Sequence, residues 1–579
     1  MPTWLFSRLS NRQFLLAGAV IVGLWAGLSA VVLKATVHYL QTFLKSLAIG
    51  HSWIYFISPA TGILMTYLFI KYILGGELVK GTSHVMFAIA RKSSFLPRKE
   101  VYSHLATSAL TVGMGGSAGL ESPIVQTGSA IGSVFSSFFP VGYRDRTLLL
   151  ACGASAGIAT AFNAPIAGVL FALEVLLVDV SVSAFIPLLL AGATGSLCSA
   201  IILAEDIPLS FREISHFNYH NIPFYIALGI ASGLLSAFYL RAYAKSEIVI
   251  KSKLRSGTIR LITGGAILGV LVILFPALFG EGYSSITSLA RLDPDSIFEG
   301  SPLKPFLSNN QGGVAIAVFA VAIFKVFAVS LTLNAGGNGG NFAPALLVGA
   351  CLGFSLSFGG NALGVTHLPV PNFCLVAMAG VLTGIFHAPL MAVFLIAEIT
   401  GGYDLIIPLM VVSALSTAVS KYFNSFSLDE AKLHQQGGVP RFGRDIQILS
   451  GLTLGGCVEN DFVGVKPNDS LKMLTKAVSQ SRRNIFPVID EQGKLLGLIA
   501  LEDIREIMFD STRYDSVNVS QLMRPPIATV NIGDDMITVM EKFDKSGVWN
   551  IPLLDQGQYV GFISKSRIFS LYRDRLSSN

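Results

Sequence analysis

Long runs without charge fill the first 450 residues of this chain, and Gly and Pro cut many of them into pieces. Gln13–Leu33, Thr147–Leu173, Val180–Ala204 and Leu261–Gly280 each lack a charged residue, and about 20 largely apolar residues suffice to cross a bilayer. Val326–Ala397 is an uncharged stretch with length for three passes or several shorter, tilted ones. The pattern predicts more than ten helices, several too short to span. Broken helices at membrane depth persist only where protein or a watery cavity surrounds them. The first run is too long for a cleaved leader and further spans follow, so it reads as a retained helix.

Beyond residue 450 the pattern changes. NIFPVIDEQGKLLGLIALEDI (Asn484–Ile504) matches WNIPLLDQGQYVGFISKSRI (Trp549–Ile568), and each reads as strand, turn, strand and the start of a helix. Upstream, PNDSLKMLTKAV and IGDDMITVMEKF each read as an Asp-capped amphipathic helix. Composition agrees with this division. The chain is 52% hydrophobic and 13% charged, against about 25% charged for soluble domains. Of its 76 charged residues, 31 lie beyond Gly451. A single soluble enzyme is excluded, and a membrane body with a soluble tail follows. Basic clusters at Arg8/Arg12, Lys80 to Lys99, Arg144/Arg146, Lys245 to Arg260 and Lys421 to Arg444 place those loops and both termini in the cytoplasm of a cell-membrane protein. The segments Glu205–Glu213 and Glu281–Glu299 lean acidic. The net charge of +6 reflects this bias, and no nucleic-acid partner is expected. The five cysteines show neither disulfide nor metal spacing, which suits a reducing compartment for the tail.

The membrane part repeats itself. GLESPIVQTGSAIG places Gly119, Pro123, Gly128 and Gly132 at the same spacings as Gly340, Pro344, Gly349 and Gly353 in GNFAPALLVGACLG. Downstream, FNAPIAGVLFALE (Phe162–Glu174) parallels FHAPLMAVFLIAE (Phe386–Glu398), each with a Glu nine residues after its proline. Duplicated halves, here about 60–220 and 260–425, are typical of transporters whose site lies at the repeat interface.

Between Glu100 and Arg144 the one charged residue is Glu121. A carboxylate at membrane depth costs several kcal/mol unless partnered, and such residues are functional by default. The glycines allow close backbone approach and Pro123 suits a helix start. A helix N-terminus binds anions through backbone N–H groups, so an ionised Glu121 would occupy the anion position and a protonated one would vacate it. The bland reading is a glutamate that caps a helix. Gly340–Pro344 has no carboxylate and offers the amides of Asn341 and Phe342 at a second helix start. Two such ends would hold an ion weakly enough to release it. The competing reading of both elements is glycine-mediated helix packing.

At these residues the chain resembles the CLC family of chloride channels and chloride/proton exchangers. GLESP is similar to the family's G-[RK]-E-G-P, and GNFAP to G-x-F-x-P; the likeness extends over about residues 15–579. It implies an all-α polytopic membrane domain (1–440) of two inverted repeats with many short, tilted helices, a homodimer with one anion path per subunit, and Glu121 as the gating glutamate. Leu120 and Ser122 depart from the motif around the gate. The family's G-S-G-I-P aligns with Gly81-Thr82-Ser83-His84-Val85, which puts Thr82 at the coordinating serine, beside Ser83. Asp429, in NSFSLDEAKL, falls on the pore tyrosine, where an anionic side chain would repel the substrate unless protonated or turned away. Exchangers usually carry a second glutamate after the one matching Glu174; here it is Val175. A valine carries no proton, so either the protein is a channel or protons enter elsewhere, by way of His84 or Asp429. Glu174 and Glu398 read as satisfying helix ends, and His84 and His387 as core or loop histidines.

The tail (441–579) resembles a cytoplasmic α/β tandem CBS module, with repeats at about 450–510 and 522–575. Such pairs often bind adenine nucleotides through Gly-h-h-[ST]-x-x-Asp, where h is hydrophobic. The first repeat ends in Asp503 but has Ala500 at the hydroxyl position; the second has Ser564 but Arg567 at the acidic one. Each half is incomplete, so a structural role is expected ahead of nucleotide binding, with Arg567 available to a phosphate. No cofactor is required and no enzymatic activity is expected. An intramembrane zinc protease would need His-Glu-x-x-His, and no His here precedes a Glu. A magnesium transporter would need an acidic pore, against which the uncharged 326–397 stretch argues.

Overall fold

The computed structural model describes residues 10–48, 51, 53–76, 78–91, 93–176, 182–202, 216–254, 256–307, 310–365, 367–436 and 452–577. It divides into two compact units, residues 1–441 and 442–579.

In the membrane unit, α1 (Asn11–Ala48), α2 (Trp53–Tyr72), α3 (Thr82–Arg91) and α4 (Glu100–Gly113) lead to α5 (Glu121–Ser136), which opens with the GLESP motif. Helices α6 (Tyr143–Phe162), α7 (Pro165–Phe171) and α8 (Val182–Ile202) complete the first half. The second half holds α9 (Ile222–Lys253), α10 (Gly257–Leu274), α11 (Tyr283–Ala290) and α12 (Gln311–Asn334), then α13 (Phe342–Ala362), which opens with GNFAP. It ends with α14 (Val370–Phe386), α15 (Pro389–Ile399), α16 (Ile406–Phe423) and α17 (Leu428–Gln435). Among the described residues, eight helices are long and apolar enough to cross a membrane, and Pro165–Leu176, Val370–Phe386 and Pro389–Ile399 are apolar but shorter.

Two uncharged runs fold differently from their simplest reading. The helix that holds the uncharged run Gln13–Leu33 extends to Ala48, and the Lys34 ammonium inside it bonds the Ala161 carbonyl. Thr147–Leu173 is two helices, broken where Asn163 adopts a left-handed conformation (φ 52°) ahead of Ala-Pro. His387 does the same in the second half (φ 56°). A proline cannot continue the preceding helix but opens the next one readily. That is the physical content of the repeated Phe-x-Ala-Pro.

The halves are joined by reciprocal bonds. Gly119 and Gly340 form an antiparallel bridge, with N–H to O=C distances of 2.9 and 2.8 Å in the two directions. The Thr332 hydroxyl accepts the Ser117 N–H at 3.1 Å, and the Thr111 hydroxyl accepts the Asn338 N–H at 2.9 Å. The Glu398 carboxylate accepts from Ile166 and Ala167 (2.9 and 2.8 Å) at the start of α7, and that of Glu174 from Leu390 and Met391 (3.1 and 2.7 Å) at the start of α15. Each half therefore caps a helix of the other. Contacts that exchange partners in this way mark an approximate two-fold relation. A glutamate ahead of a helix start satisfies orphan N–H groups and the positive end of the dipole together.

Later glycines of each repeat do pack helices. A β-carbon on Gly128 would lie 2.2 Å from the Gly153 carbonyl oxygen, where α5 crosses α6, and one on Gly353 would lie 2.2 Å from that of Phe373, where α13 crosses α14. Packing and backbone pairing are thus both present, at different glycines of one motif.

In the tail, β2 (Ile485–Ile489) and β3 (Leu495–Ala500) form an antiparallel hairpin beside α18 (Leu471–Gln480). The other sheet runs β1-β6-β5-β4, where β1 (Val458–Glu459) joins β6 (Gln558–Ser564) and β4 (Val530–Asn531) lies parallel to β5 (Asn550–Asp555). Helices α19 (Met536–Ser546) and α20 (Lys565–Ser577) accompany it. Asp535 caps α19 through the Thr538 N–H at 2.8 Å, as expected. The first helix starts after Ser470 instead, because Asp469 accepts the Lys466 N–H at 2.7 Å and forms its own turn.

Replacing Glu174 or Glu398 by Gln turns an amide NH2 toward a helix N–H and removes one charge-assisted bond. Each substitution is expected to cost about 1–3 kcal/mol of stability, visible as a lower melting temperature of the purified protein in detergent. An unchanged melting temperature for both would contradict the cross-capping.

Candidate functional site

Glu121 is the first residue of α5 and is buried, but its carboxylate does not stay with its own helix. One oxygen takes the Tyr283 hydroxyl, and the other lies 3.3 Å from the Ala343 N–H in the first turn of α13. The group thus sits against helix starts from both halves, where backbone dipoles favour negative charge. Gly119 makes this possible, since a β-carbon there would meet the Glu121 carboxylate oxygen at 2.3 Å and the Ala343 N at 3.1 Å. Gly340 is held equally close, with Ser122 Cβ 2.7 Å from where its β-carbon would be.

The second-half residues expected to offer amides serve differently. The donor to the carboxylate is Ala343, one residue past Phe342. Asn341 instead accepts the Tyr239 hydroxyl at 2.9 Å, and the Phe342 ring lies 5.4 Å from that of Phe162 and 5.5 Å from that of Phe386. Phe342 is therefore part of an aromatic wall beside the carboxylate.

Thr82, Glu121, Ser122, Asn341 and Asp429 line one cavity of 670 Å³. The two motif departures meet there: the Thr82 hydroxyl is 3.3 Å from the Ser122 hydroxyl. Ser83 does not line the cavity; its amide faces the Asp429 carboxylate. Asp429 is accordingly turned onto the start of α3, where it acts as a cap, and the repulsion expected of an anion there is offset. His84 is directed elsewhere, with Nε2 3.0 Å from a Glu100 carboxylate oxygen and the pair buried. The cavity walls carry Lys80, Lys251, Arg260 and Lys432 against Glu121, Glu247 and Asp429. Lys80 binds the Gly336 and Gly337 carbonyls at 2.9 and 2.7 Å, beyond the C-terminus of α12, and Lys432 lies 3.2 Å from the Tyr243 hydroxyl. An excess of cations along such a cleft concentrates anions.

Several residues of the site escaped the sequence reading. Tyr283 lies in the short Gly280–Tyr283 turn, near the start of the acidic segment Glu281–Glu299. Glu281 in that turn is directed inward, with the Leu120 amide facing its carboxylate. Glu121 is solitary along the chain but not in space, because Lys34 and Glu281 interact with it electrostatically. Lys325 is fully buried in α12 and binds the Gly280 carbonyl at 2.9 Å. Lys34 and Lys325 are isolated charges in apolar helices, which is the same sequence signal that marks Glu121.

In the tail, Asp503 pairs with Arg524 at 2.9 Å and accepts the Ala500 N–H at 3.4 Å. Ser564 accepts the Arg567 N–H at 3.1 Å at the start of α20 and lies 3.1 Å from the Ser566 hydroxyl. Both residues are engaged as local caps.

Comparison with known proteins follows this division. The family model described as voltage gated chloride channel matches residues 61–421, and the CBS domain model matches residues 456–510 and 519–574. A putative chloride channel protein ClcB-like from Ralstonia nicotianae is 29% identical over 409 residues, covering 68% of this chain and 91% of its own. Among solved structures, a slow cyanobacterial Cl⁻/H⁺ antiporter is similar with a TM-score of 0.63 at 22% identity, covering 74% of this chain and 98% of that one. A eukaryotic CLC transporter gives a TM-score of 0.61 at 17% identity, covering 96% and 97%. The membrane unit has the fold of these transporters, and the tail consists of CBS domains.

The Tyr283 hydroxyl bonds one oxygen of the Glu121 carboxylate. Tyr283→Phe is expected to loosen it and to raise anion flux at neutral pH about tenfold, the equivalent of one hydrogen bond of roughly 1.4 kcal/mol. Flux from loaded liposomes measures this, and an unaltered or lower flux from folded protein would count against the latch.

Proposed function

This chain belongs to the voltage-gated chloride channel family, and on that premise we propose that it moves chloride or a similar small anion through a path gated by Glu121. The observation that carries the reading is the carboxylate lying against the starts of α5 and α13 at once. In the ionised state it stands in for the anion; protonation removes the charge that holds it, and the side chain leaves the seat to the ion. The protein works as a homodimer in the cell membrane with both termini cytoplasmic, in keeping with the basic loops.

Transport is passive in this reading. Val175 stands where the family's exchangers carry an internal glutamate, and it packs half-buried against the apolar core. The preceding Glu174 already caps α15 with both oxygens, so no free carboxylate remains at that position. Chloride/proton exchange is the second reading. It is favoured by the buried His84–Glu100 pair, in which one Glu100 oxygen has no hydrogen-bond partner among the described residues, and by the antiporter among the similar folds. The tail serves a structural role, consistent with the local engagement of Asp503 and Ser564.

Glu121→Gln in liposomes is expected to abolish the acid activation of anion flux, while a pH profile like that of the native protein would sink the gate. Proton movement driven uphill by a chloride gradient alone should be absent; its appearance would replace the channel with the exchanger. Adding ATP or AMP should leave the melting temperature unchanged, and a saturable upward shift would assign the tail a nucleotide.

A further inference from the structure

Glu281 has features that capping one helix does not explain. It lies in a turn fixed from three sides. Gly280 N–H bonds the Gly115 carbonyl at 3.2 Å, the Lys325 ammonium takes the Gly280 carbonyl at 2.9 Å, and Gly280 and Gly282 both adopt positive φ (61° and 96°). This turn directs the carboxylate inward. The Leu120 amide, immediately before the gating residue, faces it, and the other oxygen, Oε1, is buried with no hydrogen-bond partner among the described residues. Two residues further on, Tyr283 gives its hydroxyl to Glu121.

The charged and titratable groups around the turn come from every neighbouring element. Glu121 reaches it from α5, Lys34 from α1, Tyr283 from α11 and Lys325 from α12, with Cys351 of α13 behind Lys325. Two carboxylates thus share the Lys34 ammonium, and Glu281 also faces that of Lys325, in a region of low dielectric. Placing like charges together makes the first proton easy to add and couples the two sites into one titrating unit. A buried carboxylate oxygen without a donor is costly when ionised, which leaves Oε1 open to a proton.

We propose that Glu281 is the proton partner of the gate, exchanging with Glu121 the proton that releases its carboxylate from the anion seat. This rests on the reading of Glu121 as the gate. In the step, the O–H bond of the Glu281 carboxyl breaks and one forms on Glu121. Glu281 is left ionised opposite Lys34 and Lys325, and Glu121 neutral and free to leave the amides. No other bond changes and no co-reactant is needed.

The test is the pH dependence of chloride flux in liposomes for the native protein, Glu121→Gln, Glu281→Gln, Lys34→Gln and the double variant Glu121→Gln/Glu281→Gln. An ionised neighbour at position 281 favours a proton on Glu121, so removing it shifts half-activation to lower pH by about one unit and narrows the transition to that of a single group. Removing the Lys34 charge shifts half-activation the opposite way. The double variant behaves as Glu121→Gln does. A Glu281→Gln profile superimposable on the native one, with Glu121→Gln altered, overturns the proton partner and leaves the gate standing. An unaltered Glu121→Gln profile overturns the gate itself. Shifts in the same direction for Glu281→Gln and Lys34→Gln reveal general loosening and overturn the pairing. Should Glu281→Gln not fold, Lys34→Gln decides alone, and a midpoint that does not rise overturns the proposal.

Discussion

At the meeting point of the two halves, Gly119 and Gly340 exchange a pair of backbone hydrogen bonds across a gap too narrow for a β-carbon. The starts of α5 and α13 lie side by side because of that pair, each presenting its positive end to the same small volume. A side chain at either glycine would separate them and displace the Glu121 carboxylate that lies between. The same exchange recurs further along, where Glu174 and Glu398 cap each other's neighbouring helices. Short helices buried in a membrane cannot turn to water for their end groups. Here each half supplies what the other lacks, so neither arrangement would be satisfied alone.

The duplication was legible because it preserves spacing. Gly119, Pro123, Gly128 and Gly132 recur in register, as do the two Phe-x-Ala-Pro breaks, since each landmark meets a backbone demand at a fixed place. Glu121 was legible for a different reason: charge is scarce in its stretch of the chain. Partnership was not legible. Tyr283 and Glu281 from one turn and Lys34 from α1 converge on Glu121, with Lys325 of α12 behind Glu281, and nothing in local spacing shows which segments meet. The amide that reaches the carboxylate belongs to Ala343 and not to Asn341 or Phe342, because the distance is set by the Gly119–Gly340 pair. Asp429 shows how a suspicious substitution can be resolved by geometry, since it lines the cavity but meets the Ser83 amide at the start of α3.

The charges near Glu121 and along the cavity fall into two groups. Along the cavity, Lys80, Lys251, Arg260 and Lys432 outnumber Glu121, Glu247 and Asp429, an excess that favours anions near the walls. Around Glu121, Lys34 faces both Glu121 and Glu281 and Lys325 faces Glu281, each ammonium also bonded to backbone carbonyl oxygen. A site of one hydroxyl and one amide around the Glu121 carboxylate would hold an anion weakly, as conduction requires. Low overall charge thus serves the bilayer and the mechanism together.

The central claim is that the Glu121 carboxylate occupies the position a transported anion takes. Anomalous scattering from bromide in crystals of the native protein and of Glu121→Ala, both at neutral pH, tests it directly. The account predicts one additional bromide per subunit in the variant, within hydrogen-bond reach of the Ala343 amide. Identical bromide sites in both proteins, with that position empty in the variant, would contradict it.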